Sequence, residues 1–338
     1  MLTVIVPTFD RPQSLQRAVQ SLFKQTLAQT TGFTLIVVDN TPSGSAAATL
    51  EALKRDCPQT IAMKTLHAPE PGVANARNAA MAAVEGSLVA FLDDDQSAPP
   101  EWLEHLLAAY ERTPAAVTFG PVETVLPQGT TKHRAYFEAF FARTCDAKSG
   151  YIDQAFGCGN ALIDFAQIPG SAPWFDAKMN EMGGEDDLLF ERVRRLGQRF
   201  AWASKAIVFE HPPVARVRFS YTLKRAFSYG QAPVTLAIKG ASKRYDRIPL
   251  WMAIGLGKAF WHGLQWLALT AIRHPRRAFE LDLAVRGVSK LFWWVDLKFY
   301  GRAALKSAGS PPIPPSAGTK PTDLAKPASS RIDLAAGS

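Results

Sequence analysis

Cysteine is scarce: Cys57, Cys145 and Cys158 are the only three in 338 residues, and no pair has metal-ligand spacing. An odd, scattered set gives no disulfide framework and suits a reducing compartment. The amino terminus has no basic n-region, apolar run and cleavage site, so no secretory leader is expected and the chain is expected to be cytoplasmic. There is no phosphate loop of the GxxxxGK type, no internal repeat and no recognised nucleic-acid module. Acid is scarce in one segment only. Residues 216–306 carry 17 Lys and Arg against 4 Asp and Glu, a net of +13, whereas residues 1–215 carry 18 against 24, a net of −6. The overall charge of +8 therefore belongs to one stretch, which points to a polyanion or an anionic membrane beside it.

What is present centres on SLVAFLDDD, Ser87 to Asp95. An apolar, branched run suits a strand covered on both faces, and here it runs straight into three carboxylates. Adjacent acids repel one another and cannot lie unpaired in a core. They belong at the strand's carboxyl edge, where parallel sheets place ligands. Two readings stand for them. One is a set of hard oxygen ligands for Mg²⁺ or Mn²⁺. The other is a solvated turn opening the helix that follows Pro99-Pro100-Glu101.

The rest of the first half alternates. Leu2 to Pro7 reads as a buried strand, and Arg11-Pro12 opens a helix with Leu15, Val19 and Leu22-Phe23 on one face. Phe33 to Val38 is a strand ending at Asp39-Asn40, Gly44 onward a helix, and Ile61 to Leu66 a third strand. Pro71-Gly72 leads into a helix over 73–84 that carries Arg77 and Asn78, and Glu101 to Glu111 forms another. Strand and helix in turn predict a parallel α/β sheet with ligands at the strand ends. Ala115 to Leu126 reads as one strand, Lys132 to Arg143 as an amphipathic helix, and Phe200 to Phe209 as one further strand.

Between them, residues 155–215 break the alternation with Gly157-Cys158-Gly159-Asn160, Trp174-Phe175-Asp176 and Gly183-Gly184-Glu185-Asp186-Asp187. Acids after two glycines either cap the helix that follows or are delivered by a flexible loop to a site. Like-charge repulsion from Glu185 and Asp187 would raise the pKa of Asp186, which suits a base.

The basic segment holds a mostly apolar stretch, Ile248 to Ile272, flanked by Arg247 and by Arg273, Arg276 and Arg277. Its length is that of a membrane-crossing helix. Lys258, His262 and Gln265 make one polar stripe, however, and Gly255, Gly257 and Gly263 weaken the helix. A second stretch sets Leu291, Phe292, Val295 and Phe299 opposite Asp282, Arg286 and Lys290, with Trp293, Trp294 and Tyr300 suited to a membrane interface. The favoured expectation is a pair of helices lying in the interface, ahead of a true span or of helices packed on the domain. From Ala308 on, the chain is rich in Pro, Ala, Ser and Gly and is expected to be disordered.

Five pieces, in this order, resemble the glycosyltransferases of family 2: TVIVPTFDRPQSLQRAVQSLFKQT, LIVVDN, GVANARNAA, VAFLDDDQSAPPEWL and GGEDDLLFERVRRLG. The resemblance covers roughly residues 2–230. It implies a GT-A fold, a Rossmann-like nucleotide-binding sheet, over residues 1–230. A membrane-associating helical region over 231–306 and a tail over 307–338 would follow. It implies a nucleotide-sugar donor, UDP-linked, and a divalent cation. Pro7, Thr8 and Asp39 would hold the base with Arg77 beside them, and Asp93 would lie near the ribose. Asp95, or Asp94 in its place, would bind the cation. Asp186 would be the general base of an inverting transfer, with Glu185 beside it or touching the acceptor. His211, in FEHPPVAR, lies where some relatives place a metal-binding histidine, and is otherwise a strand-end residue. Relatives that build exopolysaccharide use polyprenyl-diphosphate-linked acceptors at the inner membrane. Arg216, Arg218, Lys224 and Arg225 would suit such an acceptor, at the cytoplasmic face of a peripherally or monotopically attached protein. No nucleic-acid partner is expected.

Two other readings compete. A nucleotidyltransferase would open with a glycine- and arginine-rich loop after the first strand, where this chain has Pro7-Thr8-Phe9-Asp10. A non-enzymatic basic protein that binds membrane or nucleic acid would use its acids structurally.

Overall fold

A computed structural model describes residues 2–239, 243–295 and 297. The expected disorder beyond Ala308, and the placement of Phe299 and Tyr300, lie outside the described residues.

The apolar runs of the first half become the middle of an eight-stranded sheet. β1 (Leu2–Thr8) lies between β2 (Phe33–Asp39) and β4 (Leu88–Leu92), with β3 (Ile61–His67) outside β2, and all four are parallel. Successive residues of β1 serve different cores. Val4 and Val6 pack with α1 (Pro12–Phe23), α2 (Ala47–Arg55) and α4 (Trp102–Arg112) on one face. Ile5 packs with α3 (Val73–Met81) and α6 (Glu185–Arg195) on the other. Both faces are covered, which is why these strands read as continuous apolar runs without alternation.

Beyond β4 the expected parallel sheet becomes mixed. β9 (Asn160–Asp164) runs antiparallel to both β4 and β6 (Val117–Phe119). β10 (Phe200–Trp202) is parallel to β6, and β8 (Gly150–Ile152) closes the edge antiparallel to β10. Two expected single strands are each broken in two. Ala115 to Leu126 divides into β6 and β7 (Val122–Thr124) at Gly120-Pro121. Pro121 has no N–H for the ladder. Gly120 has no room for a side chain, since a Cβ there would sit 2.3 Å from the Ala206 carbonyl oxygen. Phe200 to Phe209 likewise divides into β10 and β11 (Val208–Glu210). The second halves leave the main sheet and form a small one, in which β11 lies between β5 (Gln96–Ser97) and β7. Because β5 directly follows the three acids, this small sheet stands against the acidic edge. The His211 N–H donates to the Asp95 carbonyl oxygen at 2.8 Å.

After the small sheet the described residues form three long helices: α7 (Phe219–Lys239), α8 (Ile248–Ala271) and α9 (Arg277–Leu291). α5 (Arg134–Phe141) joins them to the sheet domain through an aromatic cluster of Tyr136, Phe137, Phe141 and Phe219. Glycine permits close approach. A Cβ on Gly287 of α9 would lie 2.5 Å from the Ala259 nitrogen of α8, and one on Gly230 of α7 would lie 2.5 Å from the Arg286 oxygen of α9. Among the described residues no helix is long and apolar enough to cross a membrane.

Much of the amphipathic pattern of the α8–α9 hairpin is turned inside out, though Lys258 of the polar stripe stays exposed. Asp282 and Lys290 of α9 are each only 6% exposed. Asp282 accepts from the Tyr136 hydroxyl and from Arg286, and Lys290 donates to the carbonyl oxygens of Gly230 and Arg286. His262, from the polar stripe of α8, pairs with Glu280 of α9 at 2.7 Å. The apolar side faces outward instead: Phe260 is 68% exposed and Trp261 60%, with Leu256, Leu264 and Leu267 beside them.

Candidate active site

One cleft of about 880 Å³ opens at the carboxyl ends of β1 and β4. Pro7, Thr8, Asn40, Arg77, Asp93, Asp94, Asp95, Glu185 and Asp186 all line it, so the tertiary fold brings together residues from four of the five quoted motifs with Asn40 of the fifth.

Each of the three aspartates has its own cradle. Asp94 is buried and accepts from the Thr8 hydroxyl at 2.8 Å and from Arg11 Nη1 at 2.9 Å. Burial raises its pKa, and the Arg11 charge opposes that. Asp95 is buried and takes two guanidinia on one oxygen, Arg11 Nη1 at 3.1 Å and Arg216 Nη1 at 3.0 Å. Asp93 is more open, 3.5 Å from Arg77 Nη2, and lies over Gly159, where a Cβ would come within 2.2 Å of its carboxylate.

Asp186 faces these acids from the first turn of α6. Its carboxylate accepts the Cys158 N–H at 3.2 Å and its neighbour's N–H at 3.0 Å. It passes close over Gly157, whose Cβ would be 3.4 Å away. The Gly-Cys-Gly run, which carried no role in the sequence reading, is thus the floor between two acids: Gly159 under Asp93 and Gly157 under Asp186. Glu185 turns the other way. It is 3% exposed and forms an ion pair with Arg77. Burial first, and then the Asp186 charge, push its carboxyl up to about 7, against the pull of Arg77.

Arg77 is buried and spent on the protein's own acids, with the rings of Phe91 and Phe175 at 5.9 and 5.5 Å from its guanidinium carbon. It ties α3 to both acidic motifs. Asp39 is buried behind the cleft lining, where its carboxylate accepts from the Thr41 N–H and hydroxyl and from the Ala46 N–H. Asn40 stands at the lining and orders the turn before α3 by accepting the Gly72 N–H. The His211 ring bonds Ser97 at 2.8 Å, away from the cleft lining, and burial lowers its pKa.

Two participants, Arg11 and Arg143, were not singled out by sequence, and Glu210 counted there only as one of the acids at strand ends. Arg11 was read only as a helix opener, although its place directly after β1 puts it at the same edge as the acids. Arg143 and Glu210 pair across the cleft at 2.9 Å, joining the end of α5 to β11. Burial pushes Glu210 up to about 7, with Asp95 and Asp93 adding to the shift and Arg143 opposing it.

Among the described residues, no group of three or more His, Cys, Asp and Glu is arranged as a metal centre. The donors do fit a hard cation that brings other ligands with it. They are carboxylates at the cleft edge, and the position of Asp95 already holds two positive groups. Mg²⁺ is commonly held by one or two carboxylates, with phosphate oxygens and water completing its shell.

The model of the family described as Glycosyl transferase family 2 matches residues 3–167, and a relative 31% identical spans nearly the whole chain. The chain belongs to that family and is a glycosyltransferase. The relative is the succinoglycan biosynthesis protein ExoM of Rhizobium meliloti (strain 1021), aligned over 309 residues, 90% of this chain and 96% of ExoM. The glycosyltransferase AglE of Haloferax volcanii is 28% identical over 136 residues, 40% of this chain and 43% of that one. Among solved structures, the mannosyltransferase PcManGT from Pyrobaculum calidifontis, in complex with GDP-Man and Mn²⁺, superposes with a TM-score of 0.50 at 16% identity. That match covers 91% of this chain and 76% of PcManGT. The architecture is the expected GT-A fold with C-terminal helices, and the nucleotidyltransferase and non-enzymatic readings fall.

Proposed function

We propose that the protein is an inverting glycosyltransferase of exopolysaccharide or cell-surface glycan synthesis. It moves a sugar from a UDP-linked donor to a glycan or polyprenyl-diphosphate-linked acceptor at the cytoplasmic face of the membrane. The observation that carries this reading is the cleft in which Asp93, Asp94 and Asp95 face Asp186. In this reading one acid group serves the departing diphosphate and a separate one the attacking hydroxyl.

The roles divide by partner. Asp186 is held by two backbone N–H groups and by no cation among the ion pairs of the described residues, which supports its role as the proton acceptor. It takes the proton of the acceptor hydroxyl as that oxygen bonds to the anomeric carbon. The bond from that carbon to the diphosphate oxygen breaks on the opposite side, and its electron pair leaves with the nucleoside diphosphate. Attack opposite the leaving group inverts the anomeric centre. Glu185, bound to Arg77, keeps α6 in register with β4 and does not serve as the base. Mg²⁺ or Mn²⁺, held by Asp95 with Asp94 and Asp93 beside it, would neutralise charge on the diphosphate. Pro7, Thr8 and the turn set by Asp39 and Asn40 shape the nucleotide side of the cleft.

The membrane reading draws on the outward apolar face of α8, on Arg273, Arg276 and Arg277 at its end, and on the +13 of residues 216–306. Apolar residues rimmed by arginine suit an anionic lipid surface. Thermal shift with nucleoside diphosphates and nucleotide sugars, with and without Mn²⁺, tests the site. A ligand at one hundred times its Kd stabilises by about 2.7 kcal/mol. A Mn²⁺-dependent shift with uridine nucleotides is expected, and no shift with any nucleotide would overturn the donor assignment.

A further inference from the structure

Asp95, the expected cation ligand, already carries two positive partners on one oxygen: Arg11 and Arg216. The two arginines differ in what else they hold. Arg11 precedes α1 and also grips Asp94 Oδ1. Arg216 stands on the loop between β11 and α7, where its N–H is bonded to the Pro213 carbonyl. Asp95 is its one ion pair among the described residues.

A divalent cation that takes Asp95 must displace a guanidinium, because it would add a third positive group, doubly charged, to a buried carboxylate oxygen that already holds two. Arg11 still has Asp94 when that happens. Arg216 does not. Its side chain stays on the cleft wall, 22% exposed and 5.8 Å from the Tyr221 ring. Among the described residues the acid left within its electrostatic reach, Glu210, is already paired with Arg143, so Arg216 lacks an anion of its own. The donor brings one. Guanidinium matches phosphate oxygens in geometry and pairs with them by charge-assisted hydrogen bonds.

We propose that Arg216 is a diphosphate-binding residue that Asp95 holds in place until the donor arrives, exchanging the carboxylate for the β-phosphate. This rests on the nucleotide-sugar reading above. The exchange makes and breaks no covalent bond and moves no proton. Its effect is to place a positive group where the leaving diphosphate gains charge.

Calorimetric titration of the full chain tests the exchange, using Mn²⁺ alone, UDP with Mn²⁺ and UMP with Mn²⁺ against the wild type, Arg216→Gln and Arg216→Lys. In Arg216→Gln, UDP affinity should fall about ten- to a hundredfold, the range for one charge-assisted bond lost. UMP, which has no β-phosphate, should lose less than UDP, and Arg216→Lys should recover part of the loss. Mn²⁺ alone should bind Arg216→Gln more tightly, since Asp95 has lost a competitor. A UDP loss no larger than the UMP loss would overturn the phosphate role. Mn²⁺ affinity that does not rise would overturn the holding role of Asp95. Wild type that binds neither UDP with Mn²⁺ nor, in a parallel titration, GDP with Mn²⁺ would instead sink the nucleotide-sugar reading itself.

Discussion

The sheet domain and the C-terminal hairpin follow opposite rules of burial. In the sheet domain, apolar residues such as Val4, Ile5 and Phe91 lie inside and charge gathers at one edge. In the hairpin, Asp282 and Lys290 lie inside while Phe260, Trp261 and Leu267 face out. Water explains the first arrangement, because burying apolar surface drives it. It does not favour the second, in which polar groups find partners within the helices while, among the described residues, these apolar ones stay exposed. Such an arrangement is what an apolar surrounding selects, where helices associate through small residues and internal hydrogen bonds. The hairpin's contacts at Gly287 and Gly230 are of that kind. One chain thus has a sheet domain whose burial water explains and a helical hairpin whose burial it does not.

The largest effect should come from the acidic edge. Asp186→Asn keeps shape and removes the base, so transfer should fall by about 10²- to 10⁴-fold, the usual contribution of general base catalysis. Donor affinity by calorimetry should stay unchanged. Substantial residual turnover would remove Asp186 from that role.

Inside the hairpin, Asp282→Ala leaves the Tyr136 hydroxyl and Arg286 without their acceptor. A cost of about 2 kcal/mol is expected for losing such a partly buried pair. Denaturant unfolding reads it, and a loss under about 0.5 kcal/mol, the range of ordinary surface changes, would make the inward charges incidental.

Outside the hairpin the opposite outcome is expected. Phe260→Glu with Trp261→Glu should change stability by less than about 1 kcal/mol, two exposed substitutions, yet abolish sedimentation with anionic vesicles. If the double variant still sediments, the apolar face is not the membrane contact.

The smallest effect concerns pH. Glu185 is raised from an ordinary glutamate value to about 7 in the folded protein. The folded state therefore binds more protons than the unfolded state between those values, and stability should fall as pH rises through that window. Glu210 contributes in the same direction. Thermal melts from pH 5 to 7.5 should show the decline, and Glu185→Gln should flatten it. An unchanged slope in that variant would assign the decline to other groups.

Much of the site was legible because its residues end strands. Thr8 and Asp93 follow apolar runs that can only be covered strands, so their place at one edge follows from period and burial. The partners were not legible. Nothing local says that Arg77 faces Glu185, 108 positions on, or that Arg216 reaches Asp95 from 121 positions away. Gly157 and Gly159 read as a loop and proved to be a floor, because the space above a glycine belongs to whatever packs there. The two split strands failed for a related reason. Pro121 was visible in the sequence, but the second sheet that accepts β7 and β11 exists only once β5 has turned away from the acids.

By itself the sequence determined the order of strands and helices, the family, the acids of the cleft and the basic segment. Each of these is carried by period, spacing or charge within a short stretch. Tertiary structure alone decided which acids are tied to arginines and which is left to backbone N–H groups. It also decided that the antiparallel β9 divides the sheet, and that the hairpin shows its apolar side to the outside. The physical reason is the same throughout. A helix pattern fixes which residues share a face, but only the surface that meets that face decides whether it points in or out.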